Sequence, residues 1–391
     1  MGENAPIHQK APIPQAELSR ISERLADLCS SPRTEGSVYL ARVRADIVRR
    51  YTEMGYPIRQ DLVEVTQWEP IGKPTLKIVK PGSLNNFVVP CSHIPGSGST
   101  KSMRPNKKIG KESGGERDYI SGSQGKRTHI VAADKSRWPA YQIMDNRCPS
   151  GCFIVQESEW PIFIPNTDPY RTYFSLGHND FRFVEDVIKT KGNISLWAKM
   201  QSDLKAIAEP NITVGNRAAR LWVITHLDSF PGSSGANDNG TGIVATKLLL
   251  DAVPPEKYCV IFTAGEELGM LGAKALLEST APSDFPTTII DVDSVGLDEV
   301  RIGSNFIGDM FDPTTASLIH EQDVFPPYQV GLFGERVPKI ILVTSNMIAT
   351  PDGSERHYLH HHQHTDTADR VNINTVHSAS QVLQNMIRVL S

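Results

Sequence analysis

The chain has 391 residues, 39% of them hydrophobic and 21% charged, with a net charge of −4. That length exceeds what one core usually absorbs, so two domains are expected, and the near-neutral charge gives no global reason for nucleic-acid or membrane binding. Five cysteines, odd in number and irregularly spaced, argue against a disulfide framework.

The lead, residues 1–15, contains Pro6, Pro12 and Pro14 and reads as disordered. It has no apolar core of a secretory leader, and Pro6 breaks the myristoylation pattern. No apolar run reaches membrane-spanning length. The cytoplasm is therefore the default compartment, and secretion would require a leader trimmed from this chain.

From Ala16 apolar residues recur at helical spacing (Leu18, Ile21, Leu25, Leu28) until Pro32 ends the run. "SVYLARVRADIVRRYTEMGY" predicts a second amphipathic helix with Gly55 as its C-terminal stop, and "DLVEVTQW" alternates like a strand. Residues 92–127 carry eight Lys or Arg against three acidic residues among many Gly and Ser. A polyanion-binding patch would interleave aromatic residues, but none occurs before Tyr119, so the stretch reads as a solvated loop. Cys148 and Cys152 in "CPSGC" lack a second Cys or His pair to complete a zinc signature. Short strands and one helix, "DFRFVEDVIKTKG", fill the remainder of a β-rich inserted domain placed at 70–202. It divides a catalytic domain into 16–69 and 203–391.

Beyond Leu221 the pattern becomes regular. "LWVIT", "YCVIFTA", "TTIIDV" and "KIILVTS" are strands that alternate with the helices "GIVATKLLLDAV" and "GMLGAKALLES", and "INTVHSASQVLQNMIRVL" closes the chain. Almost wholly apolar strands alternating with helices predict an α/β fold: a mostly parallel sheet buried on both faces.

His226 follows the first of these strands directly. Glu266 and Glu267 follow the second after one glycine, and Asp293 ends the third. Open α/β sheets place their sites at such strand ends. With Asp238 heading the intervening helix from the turn "GANDNGTG", this much negative charge on one rim needs a cation. Imidazole plus carboxylate, without thiolate, suits zinc and tolerates cobalt or manganese. Two ions use the set economically. Asp238 can bridge with its two oxygens, His226 and Asp293 serve one ion, and Glu267 with a distal His serves the other. Asp228 can return beneath the His226 imidazole and fix its tautomer, leaving Glu266 as the general base on a bridging water. Plainer roles compete: Asp238 as a helix N-cap, Asp291 as a mistaken ligand, His357, His360, His361 and His362 as a solvated cluster, and Cys259 as a core thiol.

These motifs, in order "HLD", "GANDNGTG", "EELGMLG", "DSVG" and "HT", resemble the di-zinc exopeptidases of metallopeptidase family twenty-eight, which include bacterial aminopeptidases and glutamate carboxypeptidases. The start "RTEGS" (Arg33 to Ser37) is familiar from them too, and the middle loosely resembles their protease-associated insert. The resemblance implies a zinc-exopeptidase fold and two zinc ions, or another divalent transition metal. It makes His226, Asp238, Glu267, Asp293 and His364 the ligands and Glu266 the base. The chain departs from the pattern after the last histidine. The family often sets two residues before an Asp-Thr pair, whereas Asp366 lies only two beyond His364. The implied activity is hydrolysis of a peptide or small amide substrate, most simply by an aminopeptidase. An N-acyl hydrolase of a small metabolite, a glutaminyl cyclase relative and a non-catalytic binding relative are the alternatives. The insert and residues 301–363 are placed to wall the cleft, with Arg137, Glu335 and Arg336 as candidates, by position alone, for holding a substrate terminus.

Overall fold

The structure, a computed structural model, describes residues 13–70, 202–297, 299–305, 328–345, 360–362 and 364–391. It also describes residues 72, 73 and 183 and the backbone of strands within 75–199 and 347–357. The proline-rich lead up to residue 12, the side chains of the basic stretch, the "CPSGC" thiols and the helix expected after Asp180, apart from the single residue Phe183, lie outside the described residues.

The first two helices form as their spacing predicts. Helix α1 (Gln15–Leu28) buries Ile21, Leu25 and Leu28. Helix α2 (Val38–Glu53) begins at Ser37, whose hydroxyl accepts the Leu40 N–H at 3.1 Å. It stops at Gly55, where a φ of +80° favours glycine. Strand β1 (Ile58–Pro70) then pairs antiparallel with β11 (Ser202–Gly215) along its whole length, from Ile58 opposite Val214 to Pro70 opposite Ser202. The chain between them thus leaves and re-enters the sheet at adjacent points. Within that stretch β2 (Thr75–Val79), β3 (Phe87–Val89) and β10 (Ser195–Lys199) make a three-stranded antiparallel sheet. A second sheet runs β4 (Ser92–His93), β9 (Arg171–Leu176), β8 (Gly151–Gln156), β7 (Arg127–Val131), β6 (Asp118–Ser121) and β5 (Lys111–Glu112).

The main sheet adds β12 (Leu221–His226), β13 (Cys259–Thr263), β14 (Thr288–Val292), β15 (Arg301–Ser304) and β16 (Lys339–Thr344) in the order β1-β11-β13-β12-β14-β16-β15. Its four central strands, β13, β12, β14 and β16, are parallel, and the flanking pairs are antiparallel. Alternate residues of the central strands face opposite layers. Val223, Val260, Phe262, Ile290 and Val292 pack with α1, α2, α3 (Gly242–Ala252) and α5 (Ile373–Leu390). Trp222, Ile224, Cys259, Ile261 and Ile289 pack with α4 (Leu271–Ser279) and the turn Gln329–Phe333. Burial on both faces explains why these strands read as continuous apolar runs. Cys259 is an ordinary core thiol, fully buried. No helix among the described residues is long and apolar enough to cross a membrane.

Candidate metal centre

Parallel register brings the ends of three strands to one rim. His226 lies opposite Thr263 in β13, and Ile224 lies opposite Asp291 in β14. The residues that follow, Glu266, Glu267 and Asp293, emerge beside His226. His226, Asp228, Asp238, Glu267 and Asp293 are all buried, and Glu266 is half-buried.

Asp238 is carried in by a tight turn rather than by a strand. Gly235 takes a φ of +59°, and a Cβ there would lie 2.3 Å from the Asp238 carbonyl oxygen, so only glycine fits. The Asp238–Asn239 peptide bond is cis. The Asp366 carboxylate accepts the N–H groups of Asn237 at 2.9 Å and Asp238 at 3.1 Å, fixing the turn from outside. Asn239 caps α3 by accepting the Gly242 N–H at 3.1 Å, so the plain capping role considered for Asp238 falls to its neighbour.

The carboxylate of Asp238 faces two groups at once. Its Oδ1 lies 3.2 Å from His226 Nε2. Its Oδ2 lies 3.0 Å from His361 Nδ1 and 3.3 Å from His362 Nε2. His362 Nε2 is in turn 2.9 Å from Glu267 Oε2, and Asp293 Oδ2 is 3.8 Å from His226 Nε2. The His362 ring is stacked between Phe230, 4.4 Å away, and His361, 3.7 Å away.

His364, the expected last ligand, is exposed and belongs to neither group of converging ligand atoms. His361 and His362, expected in a solvated cluster, face the Asp238 carboxylate instead. No residue spacing in the sequence singles them out. Asp366–Thr367 begins four residues after His362, with Gln363, His364 and Thr365 between, and two residues after His364. His360 turns away, with Nδ1 on Thr365 Oγ1 at 2.7 Å.

Asp228 does more than support the imidazole. His226 Nδ1 lies 3.2 Å from the Asp228 carbonyl oxygen and 3.5 Å from its carboxylate. The carboxylate oxygens accept the N–H groups of Glu266 at 3.1 Å and Glu267 at 3.0 Å. Asp291 is buried beneath the rim and accepts the Val330 N–H at 3.0 Å, outside either group. Glu335 and Arg336 are exposed beyond the turn Gln329–Phe333, and Arg137 lies outside the described residues.

Crowding shapes the protonation of these groups. Burial pushes Glu266 and Glu267 well above the usual carboxylate range, and neighbouring carboxylates add to the effect. Asp291 is pushed up to about 8 by burial and by Asp293, and Asp366 up to about 6, chiefly by burial. At His226 burial disfavours the charged ring. The Glu266 charge and the carboxylates of Asp228, Asp238 and Asp293 outweigh it and hold the imidazole well above its ordinary value. Asp238, for which burial is outweighed by the facing histidines, is held well below the usual range. The rim favours positive charge.

Two groups of ligand atoms meet the geometric demand of a cation: His226, Asp238 and Glu267, and Asp238, His361 and His362, each with atoms within 4.8 Å of one another. They share Asp238. Glu267 Oε1 is buried and has no hydrogen-bond partner among the described residues, and His226 Nε2 has the Asp238 contact at 3.2 Å only as an ion pair, outside hydrogen-bond geometry. A buried polar atom left so costs about 1–3 kcal/mol. A coordinated cation would remove that cost, so the residues fit such an ion.

The chain is similar to several known proteins. The model of "Peptidase family M28" matches residues 210–387. A vacuolar membrane protease of the fungus Verticillium alfalfae is 29% identical over 131 residues, which cover 32% of this chain and 12% of that protein's length. Among solved structures, an aminopeptidase from Aneurinibacillus sp. strain AM-1 superposes with a TM-score of 0.66 at 14% identity, covering 95% of this chain and 93% of the other. A zinc aminopeptidase from Bacillus subtilis gives a TM-score of 0.66 at 13% identity, covering 95% and 94%. These likenesses establish a shared fold.

Proposed function

We propose, on the premise that residues 210–387 are a peptidase family M28 domain, that this chain is a metal-dependent hydrolase of peptide bonds of the aminopeptidase type. The observation that carries the reading is the Asp238 carboxylate, which faces His226 with one oxygen and His361 and His362 with the other. His226, Asp238 and Asp293 would hold one ion. Asp238, Glu267 and His362 would hold the second, with His362 taking the place the sequence reading gave to His364. The named zinc aminopeptidase of the same fold supports zinc as the metal. When bound, such ions polarise the scissile carbonyl and make an attacking water more acidic.

The remaining chemistry belongs to the chain's own side chains. Neither Glu266 nor Asp293 belongs to either ligand group, but Asp293 has a carboxylate oxygen 3.8 Å from His226 Nε2, whereas Glu266 stands beside Glu267 on the same loop. Glu266 would take a proton from the attacking water and return it to the leaving amine. Burial, with the neighbouring carboxylates, raises its affinity for a proton. Asp228 orients His226 and fixes the Glu266–Glu267 loop through two N–H groups. We take residues 70–202 as an inserted domain beside the site, so the expected substrates are short peptides or terminal amides rather than folded proteins.

The test joins elemental analysis to a substrate panel. Purified protein should carry two zinc-like ions per chain, lose activity to a strong chelator and cleave unblocked short peptides from the N-terminus, as read by mass spectrometry. Activity that survives complete metal removal would overturn the reading. Cleavage confined to acyl amides would replace the peptide substrate with a small-molecule one.

A further inference from the structure

The loop that carries Glu266 and Glu267 is tied to a segment 230 residues earlier in the chain. Glu35, 2% exposed, accepts the Gly265 N–H on Oε1 at 2.6 Å. Both oxygens of that carboxylate also accept from Arg44 Nη2 at 2.8 Å, and Arg44 Nη1 pairs with Glu209. Arg33, fully buried, makes the matching contacts to the other side of the site. It donates to the carbonyls of Leu227 at 2.9 Å, Ser234 at 2.8 Å and Gly235 at 2.8 Å, and its own N–H reaches Ser229 Oγ at 2.9 Å. Arg33, Glu35 and Arg44 all lie outside the residues matched by the family model.

A carboxylate that served packing alone would be satisfied by Arg44. Glu35 instead also takes the N–H of Gly265, the residue directly before Glu266, whose φ is +60°. Asp228 takes the next two N–H groups, those of Glu266 and Glu267. Three consecutive N–H groups of one loop are therefore held by carboxylates from two distant segments, and charged acceptors make the stronger hydrogen bonds. Rotation of the loop about Gly265 would break all of them together.

We infer that Glu35 is a positioning residue for Glu266, holding the loop so that the base faces the reacting centre. The inference rests on the reading of Glu266 as base. A misplacement of a catalytic group by about 1 Å can cost on the order of 100-fold in rate. Glu35→Ala should therefore lower kcat by about 10- to 100-fold, with KM within about threefold and metal content unchanged. Hydrogen exchange should quicken in the loop 264–270 and stay unchanged in α5.

A double-mutant cycle separates positioning from general structure. In a Glu266→Gln background, Glu35→Ala should cause no further loss, because the group it positions is gone. Should Glu35→Ala not fold, the near-isosteric Glu35→Gln enters the same cycle with an expected loss of about three- to tenfold. Additive losses, or loss of metal in both Glu35 variants, overturn the positioning role. Full turnover by Glu266→Gln alone overturns the base reading and the inference with it, and that result is distinct from an additive cycle.

Discussion

Four side chains at the centre, His226, Glu266, Glu267 and Asp293, leave the ends of three parallel strands, whereas His361, His362 and Asp366 arrive on a late turn outside the described helices and strands. The strand-borne group is set side by side by the register of the sheet, with Asp228 and Glu35 holding the loop of Glu266 and Glu267. The late group owes its place to individual contacts, namely the stack of Phe230 on His362 and the two N–H groups that Asp366 accepts. A scaffold that positions by register leaves few residues able to take a given place, whereas on a turn held by contacts those contacts decide which histidine faces the site. Asp238 is where the two regions meet, since it faces both.

The largest expected effect breaks the comparison at that meeting point. Asp238→Ala removes the carboxylate common to both ligand groups. Metal content should fall from two ions to none and turnover below detection, read by elemental analysis and peptide cleavage together. Retention of one tightly held ion would show that the strand-borne group suffices without Asp238.

Next in size is a change within the strand-borne region alone. Glu266→Gln should keep both ions and lower kcat by about 10²–10⁴-fold, the usual worth of a general base. Glu267→Gln should instead lose affinity for one ion, because its Oε2 faces His362. Metal loss from Glu266→Gln with normal turnover in the remaining holoenzyme would reverse the two roles.

The sharpest test of the late region sets His362 against His364. His362→Ala should weaken one ion by at least tenfold and lower activity in proportion, since its ring nitrogen lies within 3.3 Å of both Asp238 and Glu267. His364→Ala, at an exposed position, should change both quantities less than twofold. Isothermal titration of zinc into stripped protein reads the difference, and equal losses from the two variants would return the ligand role to His364.

This contrast follows what the sequence makes legible. Apolar strands alternating with helices reveal the α/β core, and because strand ends are fixed points, His226, Glu266, Glu267 and Asp293 could be placed before any coordinates. Asp238 was legible from its glycine-rich turn. The late ligand was not, because five histidines among residues 357–364 share no periodicity. Choosing among them needs a contact, and no spacing in the sequence encodes it. The hydrogen bonds of Arg33 and Glu35 were invisible for a different reason. They join segments about 200 residues apart, and no local pattern encodes such a pairing.

The smallest expected effect concerns the charge that both regions concentrate. In metal-stripped protein, Glu35 is pushed up to about 7 and Asp291 up to about 8, both chiefly by burial, and Glu266 and Glu267 are raised well above the usual range for the same reason. Above the ordinary carboxylate pKa of about 4 the unfolded chain gives up these protons while the folded chain keeps them, so stability falls as pH rises. His226, held well above its ordinary value against the pull of burial, contributes in the same direction once pH exceeds about 6.5. Asp238, held low, loses its contribution only in acid below about 4 and lies outside this window. Stripped protein should therefore melt at a temperature that declines by several degrees between about pH 5 and 8, at roughly 2–4 °C per kcal/mol for a domain of this size. Zinc should restore more of the melting temperature at pH 8 than at pH 5, because ligands already free of protons bind the ion without displacing any. Differential scanning calorimetry at the two pH values, with and without zinc, measures both slopes. A stripped protein whose melting temperature rises across that range would mean that the carboxylates are not crowded on one rim, and the common charge linking the two regions would be lost.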